Sequence, residues 1–457
     1  MKKFFRVFVA GLFLYAIFIT SCPIEIIEDD PWKDAENIED SPWEELEHLE
    51  FVSSMKIGWN LGNALDAHSN GNHNETAWGN PRAKRELINA VANQGFGVVR
   101  IPVTWGNMIG PAPNYKVEGS LLSRVAEIVE WTRSAGMRAI INIHHDGADS
   151  SYWLSVRSAD LTGENKEAID AKFSAVWKQI AEYFKNHGNY LIFEGFNELH
   201  DGGWGYTGTR NVHGVSVTTT STDLTNQRIR VNELNQMFVN TVRAVGNENT
   251  NRYLLIHGLV TRPSETWASH FTMPNDPAKN RLIVGIHFYD PYQFTGDAIW
   301  TTWGQKVNTT PATSENNWSG NNWANESNVR NQFDQIENRF IKNNIPVIIG
   351  EYGAVNQAPG NPFAYRKYYM EYVTKAAVDR GLIPFYWDNA GFGTNSPPFR
   401  FETDPPNWSR SPSAYSEKFG IINRTNGTAS DSSAAEIINI MMKAAKTNYS
   451  INDITAP

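Results

Sequence analysis

Leu191-Ile-Phe-Glu-Gly-Phe-Asn-Glu198 and Val347-Ile-Ile-Gly-Glu351 are the stretches on which the reading of this chain turns. Each is a short apolar run that closes on a glutamate and passes into Gly-rich or polar loop sequence. A continuous apolar run of that length reads as a strand buried on both faces, as in a parallel sheet. A carboxylate at the C-terminal end of such a strand stands where α/β barrels place their chemistry. Two of them, on separate strands, are the minimum set for splitting a glycosidic bond. One protonates the leaving oxygen, and the other attacks the anomeric carbon or activates water.

Outward from these stretches the same alternation repeats. Apolar runs occur at Met55–Asn60, Gly97–Val103, Arg138–His145, Tyr190–Glu198, Tyr253–His257, Leu282–Tyr289, Ile345–Glu351 and Leu382–Trp387. Helical periodicity lies between most of them, over Leu121–Ala135, Lys172–Phe184, Asn232–Val245 and Phe363–Arg380, and Ser433–Ala445 would close the set. Eight β/α units predict an α/β fold, a (β/α)8 TIM barrel, as one domain over residues 51–457 with no separate carbohydrate-binding module. Three long loops, Gly62–Pro81, Leu199–Thr225 and Pro291–Asn328, follow strands and are expected to build a cleft. The last carries Trp300, Trp303, Trp318 and Trp323.

Side chains two apart on a strand share a face. His287 and Tyr289 therefore point together, and Glu351 is expected in phase with Val347 and Ile349. Arg100, His144, Asn197 and Trp387 occupy comparable strand ends, giving a polar ring that core filling does not explain, because buried polar groups without partners are costly. Glu194 reads as a buried, paired carboxylate inside the barrel. His144-His145-Asp146 suggests metal by composition, but adjacent strand residues face opposite ways, so no metal and no cofactor is expected. Gly203-Trp-Gly-Tyr-Thr-Gly208 matches a dinucleotide fingerprint by letter, yet no helix pattern opens at Gly208, and it reads as a flexible cleft loop.

The net charge of −9, with no Lys/Arg-rich run, makes nucleic acid and anionic polymers poor partners. Abundant Trp and Tyr suit stacking on sugar faces. Met1-Lys-Lys-Phe-Phe-Arg6 precedes an apolar stretch of roughly 13 residues and then Ile19-Thr-Ser-Cys22, the pattern of a secretory signal. Cys22, the only cysteine, sits as in a bacterial lipobox, with Ile19 and Ser21 departing from the usual residues. Residues 1–22 are thus expected to be a lipoprotein signal and Cys22 the lipidation site. Residues 23–50, dense in Asp and Glu, are expected to be a solvated tether. A monomer held at the cell surface by a lipid anchor in the bacterial membrane is the resulting expectation for localisation.

The motifs Ile57-Gly-Trp-Asn-Leu-Gly-Asn63, Val99-Arg-Ile-Pro102, Ile143-His-His145, Phe196-Asn-Glu198, His287-Phe-Tyr289, Ile349-Gly-Glu351 and Tyr386-Trp387, in this order and spacing, resemble glycoside hydrolase family 5 over Phe51–Ala445. Gly58–Asp66 and Thr76–Pro81 are most similar to its fourth subfamily, endo-β-1,4-glucanases many of which act on xyloglucan or mixed-linkage glucan. The resemblance implies a retaining enzyme with Glu198 as acid/base, Glu351 as nucleophile and a β-glucan as partner. It further implies that Asn197 binds the sugar 2-hydroxyl and that Arg100 and Tyr289 flank Glu351. His144 and His287 would bond around the reacting sugar, and Trp387, through a cis peptide to Asp388, would be its platform. His145, Asn63 and Trp78 would line neighbouring subsites. Endo-xylanase or mannanase activity on the same barrel, or a non-catalytic glycan-binding lipoprotein, are the alternatives.

Overall fold

The computed structural model describes residues 46–457 except 47, 70–71, 148–152, 158–164, 213, 297–299, 309–323, 358–359 and 391–417. Cys22, the acidic stretch up to residue 45, Trp318 and Trp323 lie outside the described residues, whereas the last residues of the expected tether are ordered, His48 to Glu50 opening a helix with His48 buried. Eight strands close a barrel in sequential order. They are β1 (Gly58–Leu61), β2 (Val98–Ile101), β3 (Arg138–Asn142), β4 (Leu191–Glu194), β5 (Leu254–His257), β6 (Leu282–Phe288), β7 (Val347–Tyr352) and β8 (Leu382–Asp388). Every neighbouring pair is parallel, including the closing pair of β1 with β8. The crossover helices are α1 (Arg85–Gln94), α2 (Gly119–Ser134), α3 (Lys166–Tyr183), α4 (Ser221–Val245), α5 (Pro263–Trp267), α6 (Glu326–Arg339), α7 (Asn361–Val378) and α8 (Ser432–Lys446). The expected (β/α)8 barrel is the fold found.

The floor is apolar. Val98, Ile140, Ile192, Leu255, Ile283, Ile348 and Ile383 pack in one cluster, closed from below by Phe51, Val52 and Met55 around the helix His48–Ser53. Gly58 is required there, since a Cβ on it would lie 2.2 Å from the Phe385 ring. Two residues further along, the interior turns polar: Asn60, Arg100, Asn142, Glu194 and His257 are all buried. The period of two carries each strand from floor to mouth.

β7 breaks that period. Ile286 pairs with Ile349 but His287 pairs with Glu351, so Gly350 is an extra residue, and the register with β8 shifts at the same place. Ile348 is the floor residue and Gly350 faces His287 and Arg100, with a hypothetical Cβ 3.1 Å from His287 Nε2. Glu351 therefore does not share its phase with Val347 and Ile349 as expected; a β-bulge re-aims it into the mouth.

Two segments differ from the sequence reading for local reasons. The stretch read as loop after Glu198 contains the hairpin Gly208–Val212/Val215–Thr219. α4 begins at Ser221, eleven residues before the expected Asn232, because Thr220 and Asp223 form a reciprocal capping box. Its first turns are polar and lack the apolar stripe that marks a helix in sequence.

Candidate active site

Arg100, on β2, organises the mouth. Its Nε and Nη2 donate to Glu194 Oε2 and Oε1 at 2.6 and 2.8 Å, a bidentate fork. Nη1 donates to Glu351 Oε1 at 2.8 Å and to Asn60 Oδ1 at 3.0 Å, and Nη2 also reaches Asn197 Oδ1 at 2.9 Å. Arg100 and Glu194 are both fully buried. Burial pushes Glu194 up, but the guanidinium and His257 outweigh it and hold the carboxyl well below its ordinary range. Glu194 is thus the paired interior carboxylate that the sequence predicts. His257 was not foreseen: Nε2 lies 2.8 Å from Glu194 Oε1 and Nδ1 3.1 Å from the Gly285 carbonyl. Gly285 leaves it room, for a Cβ there would stand 2.2 Å from the ring. The position of His257 at the end of β5, in phase with buried Leu255, was the available signal.

Glu351 receives Arg100 on one oxygen and the Tyr289 hydroxyl, at 3.1 Å, on the other. Burial pushes its carboxyl up, His287 and Arg100 pull it down, and the nearby Glu198 adds to the rise. Burial is the largest of these and leaves a net rise, while Arg100 spends its two-point fork on Glu194 and one N–H on Glu351. Glu198 stands on the loop beyond β4, whose strand ends at Glu194 rather than reaching Glu198 as read from sequence. Its Oε1 lies 2.6 Å from His287 Nδ1 and 3.4 Å from Thr261 Oγ1. Burial pushes the His287 imidazole down to about 3, so the ring is neutral and is joined to Glu198 through Nδ1 by a hydrogen bond. One oxygen of each glutamate and a His287 nitrogen all fall within 4.8 Å of one another. Retaining carboxyl pairs stand about 5–5.5 Å apart and inverting pairs about 6.5–9.5 Å, so the spacing is of the close kind.

On the far wall, Trp387 stacks on His144 with ring centroids 5.7 Å apart and planes 9° apart. Asn142 Oδ1 accepts from Val103 N at 3.1 Å, which leaves Asn142 Nδ2 to donate to His144 Nδ1 at 3.1 Å. That places the hydrogen of the neutral His144 ring on Nε2. His145, Trp78 and His68 meet edge to face, the Trp78–His145 centroids lying 5.5 Å apart. Asn63, at φ 56°, opens a turn held by Asp66, which accepts from Asn63 N at 3.0 Å and Ala64 N at 2.7 Å. The sequence reading set His144 and His145 on opposite faces. β3 ends at Asn142, so both lie beyond the pleat, and atoms of Asp66, His144 and His145 fall within 4.8 Å of one another. This triad and the Glu198–His287–Glu351 group are the arrangements among the described residues able to hold a metal ion.

All eleven expected site residues other than Cys22 are thus in or beside the mouth. Two further expectations change. Trp303 is not a cleft wall: it is fully buried, packs on Tyr368 and Tyr369, and donates from Nε1 to the Ala324 carbonyl at 2.8 Å. The cis peptide expected at Trp387–Asp388 is absent; the cis bonds among the described residues are Ala112–Pro113 and Asp290–Pro291. Asp388 remains in register as the last residue of β8, its carboxylate accepting from Trp59 Nε1 at 3.0 Å and Ile422 N at 3.0 Å. A non-proline cis bond costs about 3–4 kcal/mol, and this anchoring is met with the trans form.

Comparison with known proteins agrees with this geometry. The sequence pattern of the Cellulase (glycosyl hydrolase family 5) family matches residues 63–393. A GH5-4 broad specificity endoglucanase from Bacteroides salanitronis is 40% identical, with a TM-score of 0.75 over 90% of this chain and 99% of that one. Endoglucanase A of Paenibacillus barcinonensis is 34% identical over 355 residues, 74% of this chain and 82% of that protein. A Bacteroides ovatus GH5 xyloglucanase, solved with a XXXG heptasaccharide, is 31% identical with a TM-score of 0.68, covering 88% of this chain and 77% of that one. With the family pattern matched across most of the barrel and the close carboxylate pair in its mouth, this chain belongs to glycoside hydrolase family 5, the cellulase family.

Proposed function

We propose that the protein is a retaining endo-β-1,4-glucanase acting on cellulose-type glucan, xyloglucan and mixed-linkage glucan by double displacement. The close approach of Glu198 and Glu351, each with different partners, carries this reading. Glu351 takes a cation and a phenol, donors that favour its ionised form, and is the nucleophile. Glu198 has a neutral imidazole, so a proton is better kept there, and it is the acid that protonates the departing oxygen. Once Glu351 becomes a glycosyl ester its charge is gone, Glu198 ionises more readily and activates water as the base. Asn197, its Oδ1 fixed by Arg100, turns its amide nitrogen toward the sugar 2-hydroxyl, and Trp387 carries the reacting ring. His144 and His287 hydrogen-bond around the reacting sugar, and His145, Asn63 and Trp78 bind sugars further along the cleft.

The choice among glucans, and against xylan or mannan, rests on the endoglucanase and xyloglucanase relatives. The N-terminal pattern supports export and lipidation at Cys22, which would hold a monomeric enzyme at the cell surface on an acidic tether of about 28 residues. Fractionation of cells expressing the full chain tests that, since wild type should sediment with membranes and Cys22→Ser should not. The catalytic roles are tested by substitution. Glu351→Gln should abolish the covalent glycosyl-enzyme seen by mass spectrometry. Glu198→Ala should lose about 10²–10⁴-fold on polymer, less on substrates with good leaving groups, and be rescued by azide as a β-glycosyl azide. Azide rescue of the Glu351 variant instead would exchange the roles. A purified wild type that releases no reducing ends from any of the three glucans would sink the activity.

A further inference from the structure

His257 has no part in the chemistry above, yet it is a titratable ring sealed inside the barrel with none of its surface exposed. Its place is fixed from two sides. Asn235 of α4, itself fully buried, grips the main chain, donating from Nδ2 to the His257 carbonyl at 2.8 Å and accepting from His257 N at 3.4 Å. Gly285, its register partner on β6, leaves the ring the space that a Cβ would take. Nδ1 then stands 3.1 Å from the Gly285 carbonyl and Nε2 2.8 Å from Glu194 Oε1. Turning the ring over would aim C–H groups at both oxygens and give up both bonds, so the site selects this orientation.

The partners decide the protons. A main-chain carbonyl only accepts, so Nδ1 carries a hydrogen. Glu194 takes the Arg100 fork on both oxygens, donors that favour the carboxylate, and a carboxylate only accepts as well. Nε2 therefore carries a hydrogen too, and a ring with both nitrogens protonated is an imidazolium. A lone cation at this depth would be costly, but the charges balance. Arg100 and His257 stand against Glu194 and Glu351, with Glu198 holding the acid proton before reaction.

We propose that His257 is a positioning residue of the reaction, a buried cation that neutralises Glu194 and so leaves the charge of Arg100 to Glu351. The inference rests on the reading of Glu351 as the nucleophile. The charged groups facing His257 are Glu194 on β4 and, behind it, Arg100 on β2. His287 on β6, with ring centroids 6.1 Å away, is neutral, and Phe196 and Asn235 carry no charge. Glu351 faces Arg100, the Tyr289 phenol, the neutral His287, Glu198 and, further off, Asp66, whose carboxyl burial pushes up to about 7. Take the charge from His257, and Glu194 cancels Arg100, leaving Glu351 among carboxyl groups with no net cation beside it. A nucleophile must be ionised before the first step, so His257 governs how far into acid the enzyme works without touching the sugar.

His257→Gln keeps a donor for Glu194 and removes the charge. With one cation fewer, Glu351 ionises less readily, and the acidic limb of kcat/KM should move up by about one pH unit, a loss of about tenfold at the foot of the profile and little on its plateau. Glu194→Gln combined with His257→Gln removes one charge of each sign and should bring the limb back toward wild type. A residue that merely filled space would give the same loss at every pH and a double variant worse than either single one. That pattern, or an unmoved limb in His257→Gln, overturns the proposal. A second readout needs no variant and no activity. In wild type carrying heavy-nitrogen histidine, nuclear magnetic resonance should find one ring with both nitrogens protonated at about pH 8, where an ordinary imidazole is neutral; no such ring overturns the proposal even if the variants fail to fold. A glycosyl-enzyme that still forms in Glu351→Gln would sink the reading of the nucleophile and this inference with it, whereas an unmoved limb in an enzyme labelled at Glu351 sinks the inference alone.

Discussion

The floor and the mouth of this barrel are made by the same strands, two residues apart, and they are built on opposite principles. At the floor, Val98, Ile140, Ile192, Ile283 and Ile383 meet without a polar atom between them, and shape and area do the holding. At the mouth, Arg100, Glu194, Glu351 and Asn197 are buried and held by directed bonds. A floor residue can be exchanged for one of similar volume at modest cost. A mouth residue cannot, because removing one partner leaves another buried and uncompensated. Stability is spread over the floor and concentrated at the mouth.

Arg100→Met is the hardest blow to the mouth. It strands two buried carboxylates, and we expect a loss of about 3–5 kcal/mol in urea unfolding together with loss of activity. An equally stable variant would break the comparison. Glu198→Gln acts the other way: the turnover on polymer should fall about 10²–10⁴-fold, while unfolding free energy should rise by about 0.5–2 kcal/mol as repulsion with Glu351 is removed. A destabilised Glu198→Gln would show that the acid is there for structure.

The pH profile of kcat/KM sharpens the picture further. The acidic limb reports ionisation of Glu351, which burial raises and Arg100 lowers. Arg100→Lys keeps a cation but not the fork, so Glu351 should ionise less readily and the acidic limb should move to higher pH. Glu198→Gln, read on an aryl glycoside, removes a neighbouring negative charge, so Glu351 should ionise more readily and the same limb should move to lower pH. His287, neutral above about 3, should contribute to neither limb. Shifts in the same direction for both variants would count against Glu351 as the titrating group. The smallest effect belongs to the floor. Ile283→Val should cost about 0.5–1.5 kcal/mol by denaturation and leave kcat/KM unchanged.

The strands were legible because their residues are buried on both faces and so read as apolar runs without alternation. The two glutamates and the polar strand ends were legible because they interrupt those runs. The bulge was not, although Gly350 inside a strand pattern was a hint, because a single glycine reads equally as a tight packing site. The hairpin Gly208–Thr219 escaped because its residues are exposed on most positions and its Thr/Ser composition resembles loop. Trp303 was misplaced because sequence shows that an indole lies between two strands but not that Tyr368 and Tyr369 of α7 have come to cover it. His257 was passed over for a plainer reason: one histidine at a strand end looks like any other until its partners are known.

The extra residue at Gly350 makes the position of Glu351 a matter of counting. Arg100, Tyr289 and His287 wait on one side of β7, and the carboxylate arrives there only because the strand carries one more residue than its neighbours need. Were β7 regular through Gly350, Glu351 would stand three residues past Ile348 and face the helix side of the sheet, with every catalytic group still in the chain. The chemistry of this barrel is therefore vulnerable to errors of register that a roll of its residues would never reveal.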